Sequence, residues 1–257
     1  MAHRVSMIPS DKTETAASFD QLAEVIRAGH RQGVFGKTRY LMPGIIGGWA
    51  VYFTVNSHWK ERFGREYLGS RDIDMFLHCE EDRQEKMHHL LADIGYRPIG
   101  CGRYMKDLRR EGGGPDIEHY IDLFCDMSCK NDVFPDSNCR CQRFESLRGI
   151  FEHVKELELS FGGILIPSID LLAGMKVDAI ISPDRSPEKR MKDMCDLTAL
   201  LLHPGFTRDA IESDGRIGIG LNYLLAGHRV DDVSLHLFEE ADGKLLRIQL
   251  ERKRKGL

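Results

Sequence analysis

The chain has 257 residues, of which 42% are hydrophobic and 30% are charged, and its formal net charge is −4. This balance is typical of a globular protein and excludes a disordered or fibrous chain, while the mild negative charge gives no support for a nucleic-acid partner. No stretch approaches the roughly 18 uncharged apolar residues of a transmembrane helix, and the first residues lack the apolar segment of a secretory signal. We therefore expect a cytoplasmic protein without a membrane partner.

The first half of the chain predicts a short sheet with helices. Some segments carry apolar residues at helical spacing, and in others apolar and polar residues alternate as in a strand. Glycines interrupt both kinds of segment. Residues 111–115 are rich in glycine and proline and predict the turn of a hairpin. The predicted elements, in chain order, are a helix at 14–30, a strand at 40–46, a helix from Trp49, a strand at 71–77, a helix at 80–94, and strands at 97–108 and 117–125.

The second half of the chain predicts mostly helix. After a short predicted strand at 161–167, Ser168 is placed to cap a helix that runs to Ile181. The remaining predicted elements are a helix at about 188–202, a helix near 218–225, an alternating segment at 233–238, and a basic end at 251–255 that is either a solvated tail or an RNA contact. We expect an α+β fold with a catalytic domain over 1–150 and a mainly helical part over 151–257.

Asp72 and Asp74 lie two residues apart in a predicted strand, so their carboxylates project from the same face of the sheet. Two neighbouring carboxylates repel each other, and a divalent cation between them relieves that repulsion. Mg²⁺ prefers oxygen ligands and is often held by one or two carboxylates together with substrate phosphates. The pair therefore indicates a magnesium site, with a solvent-facing edge strand as the alternative.

Gly47 and Gly48 follow a predicted strand and open a helix. The backbone N–H groups at the start of a helix are available to a ligand, and the positive end of the helix dipole favours an anion. The pattern indicates a phosphate site, with an ordinary glycine turn as the alternative.

Asp122 is a single acid among the apolar residues of a predicted strand. An acid in such surroundings needs a partner, and the sequence leaves two open: a metal ion shared with Asp72 and Asp74, or a salt bridge to an arginine. Because the register of the strand cannot be read from the sequence, Glu118 and Asp126 are substitutes for the same role.

Lys176 lies on the apolar face of its predicted helix. A buried ammonium must be paired, and three outcomes are open: contact with a polyphosphate, contact with an acid of the next helix, or a stem that reaches water. The acids concerned are Asp193 and Asp196. They also lie four residues after Lys189 and Lys192, a spacing that is typical of solvated surface pairs.

The order of these motifs resembles the GG…DxD…D signature of the polymerase-β-like nucleotidyltransferases. Gly47-Gly48-Trp49-Ala50 resembles the lincosamide and aminoglycoside nucleotidyltransferases in particular. Lys176 followed by Lys192-Asp193-Met194-Cys195-Asp196-Leu197 is similar to the helices of the AbiEii-type nucleotidyltransferase toxins, with Lys192 in place of an arginine. The resemblance covers residues 40–202. It implies a nucleotidyltransferase fold, in which a short mixed β-sheet with flanking helices is followed by a helical C-terminal part.

The resemblance also implies the role of each site residue. Asp72, Asp74 and Asp122 would hold two Mg²⁺ ions, with Mn²⁺ as an alternative, and Asp122 would also act as a base on the acceptor hydroxyl. Lys176 would neutralise charge on the triphosphate. The other residues implied at the nucleotide are Gly47, Gly48, Ser70, Arg71, Asp193 and Asp196.

The implied reaction is transfer of a nucleoside monophosphate from a nucleoside triphosphate such as ATP to a hydroxyl group, with release of pyrophosphate. The acceptor stays open between RNA or tRNA, a protein and a small molecule, and the toxin resemblance implies an antitoxin-like partner. The alternative function is a nucleotide-binding or zinc-stabilised regulatory module without transferase activity.

The seven cysteines fall into two groups. The scattered Cys79, Cys101 and Cys195 are expected to be reduced core thiols. The other four lie close together in sequence and are enough in number for a tetrahedral zinc site: Cys125, Cys129, Cys139 and Cys141. Their spacing departs from the C-x2-C pairs of zinc ribbons, so zinc binding stays open.

Overall fold

The computed structural model describes residues 12–78, 81–109, 116–125, 141–143, 145–240 and 242–255. Across these ranges the chain forms eight strands and nine α-helices, which confirms the expected α+β class. The strands are β1 (Gly44–Ile46), β2 (Ile73–Leu77), β3 (Arg97–Gly100), β4 (Arg103–Leu108), β5 (Ile117–Cys125), β6 (Gln142–Arg143), β7 (Val154–Leu159) and β8 (Gly162–Pro167). The helices are α1 (Lys12–Arg31), α2 (Gly47–Phe63), α3 (Glu81–Asp93), α4 (Ile169–Ile181), α5 (Pro187–Leu202), α6 (Arg208–Ser213), α7 (Gly215–Leu225), α8 (Arg229–Phe238) and α9 (Lys244–Lys255).

The strands form one mixed sheet in the order β3-β4-β5-β2-β1-β8-β7, and the short β6 pairs with the end of β5. The central strand β2 runs antiparallel to β1 and parallel to β5. β1 is in turn parallel to β8. Since α3, β3 and β4 separate β2 from β5 along the chain, residues that are distant in sequence meet in the middle of the sheet.

Apolar runs explain why the central strand is buried. Ile73, Met75, Phe76 and Leu77 of β2 are all fully buried. Successive residues of a strand point to opposite faces, so this run requires cover on both faces of the sheet. Asp74 interrupts the run and is only half-buried. At this position one face of the sheet is therefore partly accessible to solvent.

The predicted strand at 40–46 is wrong in its first half. Residues Arg39–Leu41 form a 3₁₀ turn, and only Gly44–Ile46 pair within the sheet. Arg83 of α3, at 3% exposure, donates hydrogen bonds to the backbone carbonyl groups of residues 40–42. These carbonyl groups are therefore satisfied by a side chain instead of a neighbouring strand.

Over the described residues the sheet contains eight strands where the sequence predicts five, because one predicted strand is divided in two and neither β6 nor β7 is predicted. The segment 97–108 is divided into β3 and β4, because Gly102 turns the chain between them at a φ of +60°. The antiparallel pairing of β4 with β5 confirms the predicted hairpin. β7 lies at the edge of the sheet and only its Val154 is buried, so it lacks the apolar pattern by which a strand is predicted.

The predictions for the C-terminal region are partly wrong. The alternating segment 233–238 belongs to α8, whose buried residues Val230, Val233 and Leu237 follow helical spacing. The basic end 251–255 is the last part of α9 and not a tail, since Leu250 is buried and Lys253 donates a hydrogen bond to a backbone carbonyl over 2.9 Å. Ser168 caps α4 as predicted, by accepting a hydrogen bond from a backbone N–H group of the first turn.

The contacts within the chain group the residues into two compact units. The sheet unit contains the strands together with α1, α3 and the first turn of α2. The helical unit contains Val51–Leu68, which includes the rest of α2, and the described residues from Ser168 onward. The division into domains 1–150 and 151–257 stays a prediction. Among the described helices, none has a long enough uncharged apolar stretch to cross a bilayer.

Candidate active site

Three carboxylates lie where β2 and β5 run side by side in the sheet unit. Asp74 is the register partner of Asp122, and residues paired across neighbouring strands point to the same face. Asp72 immediately precedes β2. The pKa of Tyr120, which lies on β5, is raised first by its hydrogen bond to Glu118 and in part by the charge of Asp72. The acids that the sequence singles out therefore occupy neighbouring positions.

The register also distinguishes Asp122 from its two substitutes. Glu118 pairs with Asp107 of β4, is exposed, and accepts a hydrogen bond from the hydroxyl of Tyr120. Asp126 lies outside the described residues. The acid of β5 that lies next to Asp74 is therefore Asp122.

Gly47, the first residue of α2, lies against one of these acids. The φ of Gly47 is +64°, in the left-handed region that glycine adopts readily. A Cβ atom at this position would overlap Asp74 Oδ2 and would lie 2.9 Å from Asp74 Cγ. The carboxylate of Asp74 thus packs against the first residue of a helix, where the helix dipole favours negative charge.

Gln142 and Arg103 both lie near the carboxylate of Asp122, on the same sheet face. Gln142 Nε2 donates a hydrogen bond to Asp122 Oδ1 over 3.1 Å, and Arg103 Nε lies 3.7 Å from the same oxygen. Arg103 is the register partner of Asp122 on β4, so a row of Arg103, Asp122 and Asp74 crosses three strands. One of the two alternatives for Asp122, an arginine, is therefore present, at a distance too long for a hydrogen bond.

The segment that carries Ser70 and Arg71 is supported by α1, a role that is not apparent from the sequence. Glu14 Oε2 lies 2.9 Å from Arg71 Nε. The side chain of Thr15 approaches Gly69 so closely that a Cβ atom there would overlap its methyl group. Glu14 holds the guanidinium through one edge, and the Arg71 side chain remains 59% exposed.

α1 also fixes the start of α2 through Trp49. The fully buried Ser18 accepts a hydrogen bond from Trp49 Nε1 over 3.1 Å, and the rings of Phe19 and Trp49 are 5.4 Å apart between centroids. The signal in the sequence is Ser18 itself, a polar residue beside the apolar positions of an amphipathic helix. Its partner cannot be inferred without the fold.

In the helical unit, Lys176 of α4 is only 7% exposed and is paired with two acids of α5. Its Nζ lies 2.8 Å from Asp193 Oδ1 and 2.7 Å from Asp196 Oδ2. Both carboxylates are buried. They are therefore not members of solvated surface pairs, the alternative that their four-residue spacing from Lys189 and Lys192 suggests. Of the three outcomes open for Lys176, the structure shows contact with acids of the next helix.

Other charges complete this network. Arg185 Nη2 lies 2.6 Å from Asp193 Oδ2, and Lys192 Nζ lies 2.7 Å from Asp196 Oδ1. The hydroxyl of Tyr67 donates a hydrogen bond to Asp196 Oδ1 over 2.8 Å. Together with the lysine of α4, three cationic side chains therefore surround two carboxylates, which leaves one net positive charge (three minus two).

The pKa shifts in this network follow from burial and from pairing. Burial alone would lower the pKa of Lys176, but the charges of Asp196 and Asp193 outweigh it, so that the pKa is raised. For Asp196, burial acts to raise the pKa, but Lys176 and Lys192 outweigh it and lower the pKa. Burial and then the charge of Asp196 raise the pKa of Tyr67 well above its usual value. At neutral pH Asp196 is therefore ionised, and Tyr67 is a neutral phenol that donates to it.

The cysteine predictions have mixed outcomes. Cys125 and Cys141 are buried, while Cys129 and Cys139 lie outside the described residues. Zinc binding by the four therefore stays a prediction. Cys195 is a free buried thiol, as expected. The prediction for Cys101 is wrong, because this residue is disulfide-bonded, and Cys79 lies outside the described residues.

Neither a protein-family model nor a curated protein matches the sequence. A solved structure of a proposed nucleotidyltransferase from H. pylori is similar over 94% of this chain and 95% of its own, at 15% identity and a TM-score of 0.51. The JHP933 protein from Helicobacter pylori matches 94% of this chain and 92% of its own, at 14% identity and a TM-score of 0.48. An antigenic nucleotidyltransferase-like protein from Paracoccidioides brasiliensis matches 87% of this chain and 98% of its own, at 12% identity and a TM-score of 0.48. At such identities the similarity concerns the fold alone, and the fold of this chain is that of a nucleotidyltransferase.

Proposed function

We propose that the protein is a metal-dependent nucleotidyltransferase that transfers a nucleoside monophosphate from a nucleoside triphosphate to a hydroxyl acceptor. The observation that carries the proposal is the side-by-side register of Asp74 and Asp122, with Gly47 packed against Asp74. Carboxylates beside a glycine turn at a helix start suit a triphosphate with its divalent cation. The nucleotidyltransferase fold supports the same reaction class.

The donor atoms fit a hard divalent cation. Asp72, Asp74 and Asp122 offer carboxylate oxygens, which Mg²⁺ and Mn²⁺ prefer. Within the described ranges, no three His, Cys, Asp or Glu side chains form a ready-made ligand cluster. Substrate phosphates would therefore complete the ligand set, as they commonly do for Mg²⁺. Bound there, the cations would stabilise both the attacking and the leaving oxygen of an in-line displacement.

The residues of the sheet unit have distinct proposed tasks. The backbone amides of Gly47 and Gly48 would donate hydrogen bonds to phosphate oxygens, and the exposed edge of Arg71 would pair with the phosphate charge beside Ser70. As the acceptor oxygen forms its bond to the α-phosphorus and the bond to pyrophosphate breaks, Asp122 would accept the proton of the acceptor hydroxyl. Catalysis would rest mainly on positioning and charge neutralisation.

The network around Lys176 is proposed to neutralise triphosphate charge. Asp193 and Asp196 hold the ammonium in place, so they would act on the nucleotide through Lys176. The net positive charge of the network comes from Arg185 and Lys192, which are more exposed than the lysine between them. An anion such as a triphosphate would therefore be attracted by the net positive charge of the whole network and not by Lys176 alone.

A nucleotide-binding module without transfer is the second candidate, and one observation favours it. Asp122 already contacts Gln142 and Arg103, so an acid proposed as metal ligand and base has other partners in the fold. Such a protein would bind a triphosphate through Gly47 and Gly48 and release no pyrophosphate. The zinc-stabilised version of this alternative depends on the cysteine group, which stays untested.

Incubation with each labelled nucleoside triphosphate and Mg²⁺ tests the proposal. We expect release of pyrophosphate and covalent label on an acceptor, both abolished by a chelator and by Asp74→Asn. Asp107→Asn is the matched control, because this acid lies on β4 of the same sheet and forms an exposed ion pair with Arg97 at 3.3 Å. Tight nucleotide binding without any pyrophosphate release would establish the second candidate instead.

The same experiment identifies the acceptor. Separate reactions with RNA, tRNA, total protein and small hydroxyl compounds show which fraction carries the label. The sequence resemblance to toxins predicts a macromolecular acceptor and an antitoxin-like partner, while the resemblance to antibiotic-modifying enzymes predicts a small one. Both finer resemblances stay predictions until this result is known.

A further inference from the structure

Arg103 stands at the end of the acid row and has an unusual contact there. Its Nε lies 3.7 Å from Asp122 Oδ1, and no hydrogen bond is made by this buried nitrogen among the described residues. The guanidinium carbon lies 4.7 Å from the centre of the Tyr120 ring, an attractive cation–π geometry. Tyr120 thus holds the guanidinium beside Asp122 while the hydrogen bond between the two charges is not formed.

A comparison within the same chain shows that this pair is loose. In the helical unit, Arg216 Nε lies 2.9 and 3.0 Å from the two carboxylate oxygens of Asp214, and Arg216 Nη2 lies 2.6 Å from one of them. Such fork geometry is typical of a pair that stabilises a fold. Arg103 and Asp122 attract each other without that geometry, so Asp122 loses little bonding when it binds another cation instead of Arg103.

We propose that Arg103 is the counter-ion of Asp122 in the metal-free protein and that a divalent cation competes with it for this carboxylate. The inference rests on the proposed function, which makes Asp122 a metal ligand. A guanidinium fixed by Tyr120 and by register repels a dication bound on the neighbouring carboxylates. Arg103 is thus a positioning residue that sets the metal concentration at which the site fills.

Binding of Mn²⁺, measured on the full chain from the loss of the free-ion electron paramagnetic resonance signal, tests this inference without any catalytic turnover. Arg103→Gln is expected to tighten Mn²⁺ binding by about tenfold or more, since it removes one positive charge a few ångströms from the ion. Arg103→Met, which keeps an unbranched apolar stem against Tyr120, is expected to tighten binding in the same way. The second variant keeps the test decisive if the first does not fold.

Two controls separate a local effect from a change of net charge. Arg103→Lys keeps the charge and is expected to bind Mn²⁺ within about threefold of the original protein, because a lysine remains a competing cation. Arg97→Gln removes an arginine from the neighbouring strand β3, where it pairs with Asp107 at 3.3 Å. It is expected to leave the Mn²⁺ affinity unchanged.

The outcomes also separate this inference from the proposed function. If Asp74→Asn weakens Mn²⁺ binding while Arg103→Gln and Arg103→Met leave it unchanged or weaken it, the inference is overturned and the metal site stands. If Asp74→Asn has no effect on Mn²⁺ binding, the metal site of the proposed function fails, and the role of Arg103 fails with it. Tightening in both Arg103 variants but not in Arg97→Gln supports the inference.

Discussion

Replacing Gly47 by alanine tests how tightly the glycine turn packs on the acid row. The left-handed backbone costs an alanine about 1–2 kcal/mol, and the overlap of its Cβ with Asp74 adds about 1–3 kcal/mol of overpacking. Gly33 is the matched control, since its φ of +68° is similar and nothing lies within 4 Å of its Cβ position. We therefore expect Gly47→Ala to lower the free energy of unfolding by about 2–5 kcal/mol, and Gly33→Ala by about 1–2 kcal/mol.

Urea unfolding followed by circular dichroism measures both values. The double variant Gly47→Ala/Asp74→Ala removes the carboxylate that the new methyl group meets, so it should recover most of the overlap contribution of about 1–3 kcal/mol. Equal losses for Gly47→Ala and Gly33→Ala, or simple additivity in the double variant, would refute the close packing of Gly47 on Asp74.

Three further predictions concern buried groups. Lys176→Met leaves two buried carboxylates short of a cation and is expected to lower the free energy of unfolding by about 3–5 kcal/mol. The control Lys60→Met breaks an exposed ion pair and should lower the free energy of unfolding by less than about 1 kcal/mol. Equal losses for the two variants in urea unfolding would contradict the pairing of Lys176. Burial, and then the charge of Lys106, lower the pKa of His119 from 6.5 to about 4. Between these values the unfolded chain binds a proton that the folded chain does not, so stability falls by about 3 kcal/mol as the pH drops from 7 to 4. His119→Gln should remove this part of the pH dependence, and an unchanged dependence would show that His119 is not its source. Burial and the charge of Asp196 raise the pKa of Cys195 to about 12, so Cys195→Ala should leave the thiol titre of the native protein unchanged and lower only the titre in denaturant.

The sequence predicts local features of the site well where one element carries them. The spacing of Asp72 and Asp74 and the placement of Gly47 at a strand–helix junction follow from short-range patterns. The apolar face around Lys176 predicts that the ammonium needs a partner, and the acids of the next helix are near enough in sequence to be named. In each case the physical cause lies within one or two neighbouring elements.

What depends on distant pairing could not be predicted. The partner of Asp122 follows from the register of β2 against β5, which three intervening elements separate. The contact of Glu14 with Arg71 joins α1 to a segment far along the chain. β7 escapes prediction because an edge strand with one buried residue has little apolar signal. Apolar and polar residues alternate over 233–238 in the sequence, although the buried residues of α8 follow helical spacing.

Pyrophosphate release by Asp74→Asn, with Asp107→Asn as its control, tests the central claim most directly. Both variants remove one negative charge from the same sheet, but only Asp74 lies against Gly47 and beside Asp122. With Mg²⁺ and the preferred nucleoside triphosphate, we expect Asp74→Asn to lose at least about 100-fold in rate, with an unfolding curve close to that of the original protein. Asp107→Asn should keep the original rate. If Asp74→Asn released pyrophosphate at the rate of the original protein, the assignment of these carboxylates as the nucleotidyl-transfer site would be wrong.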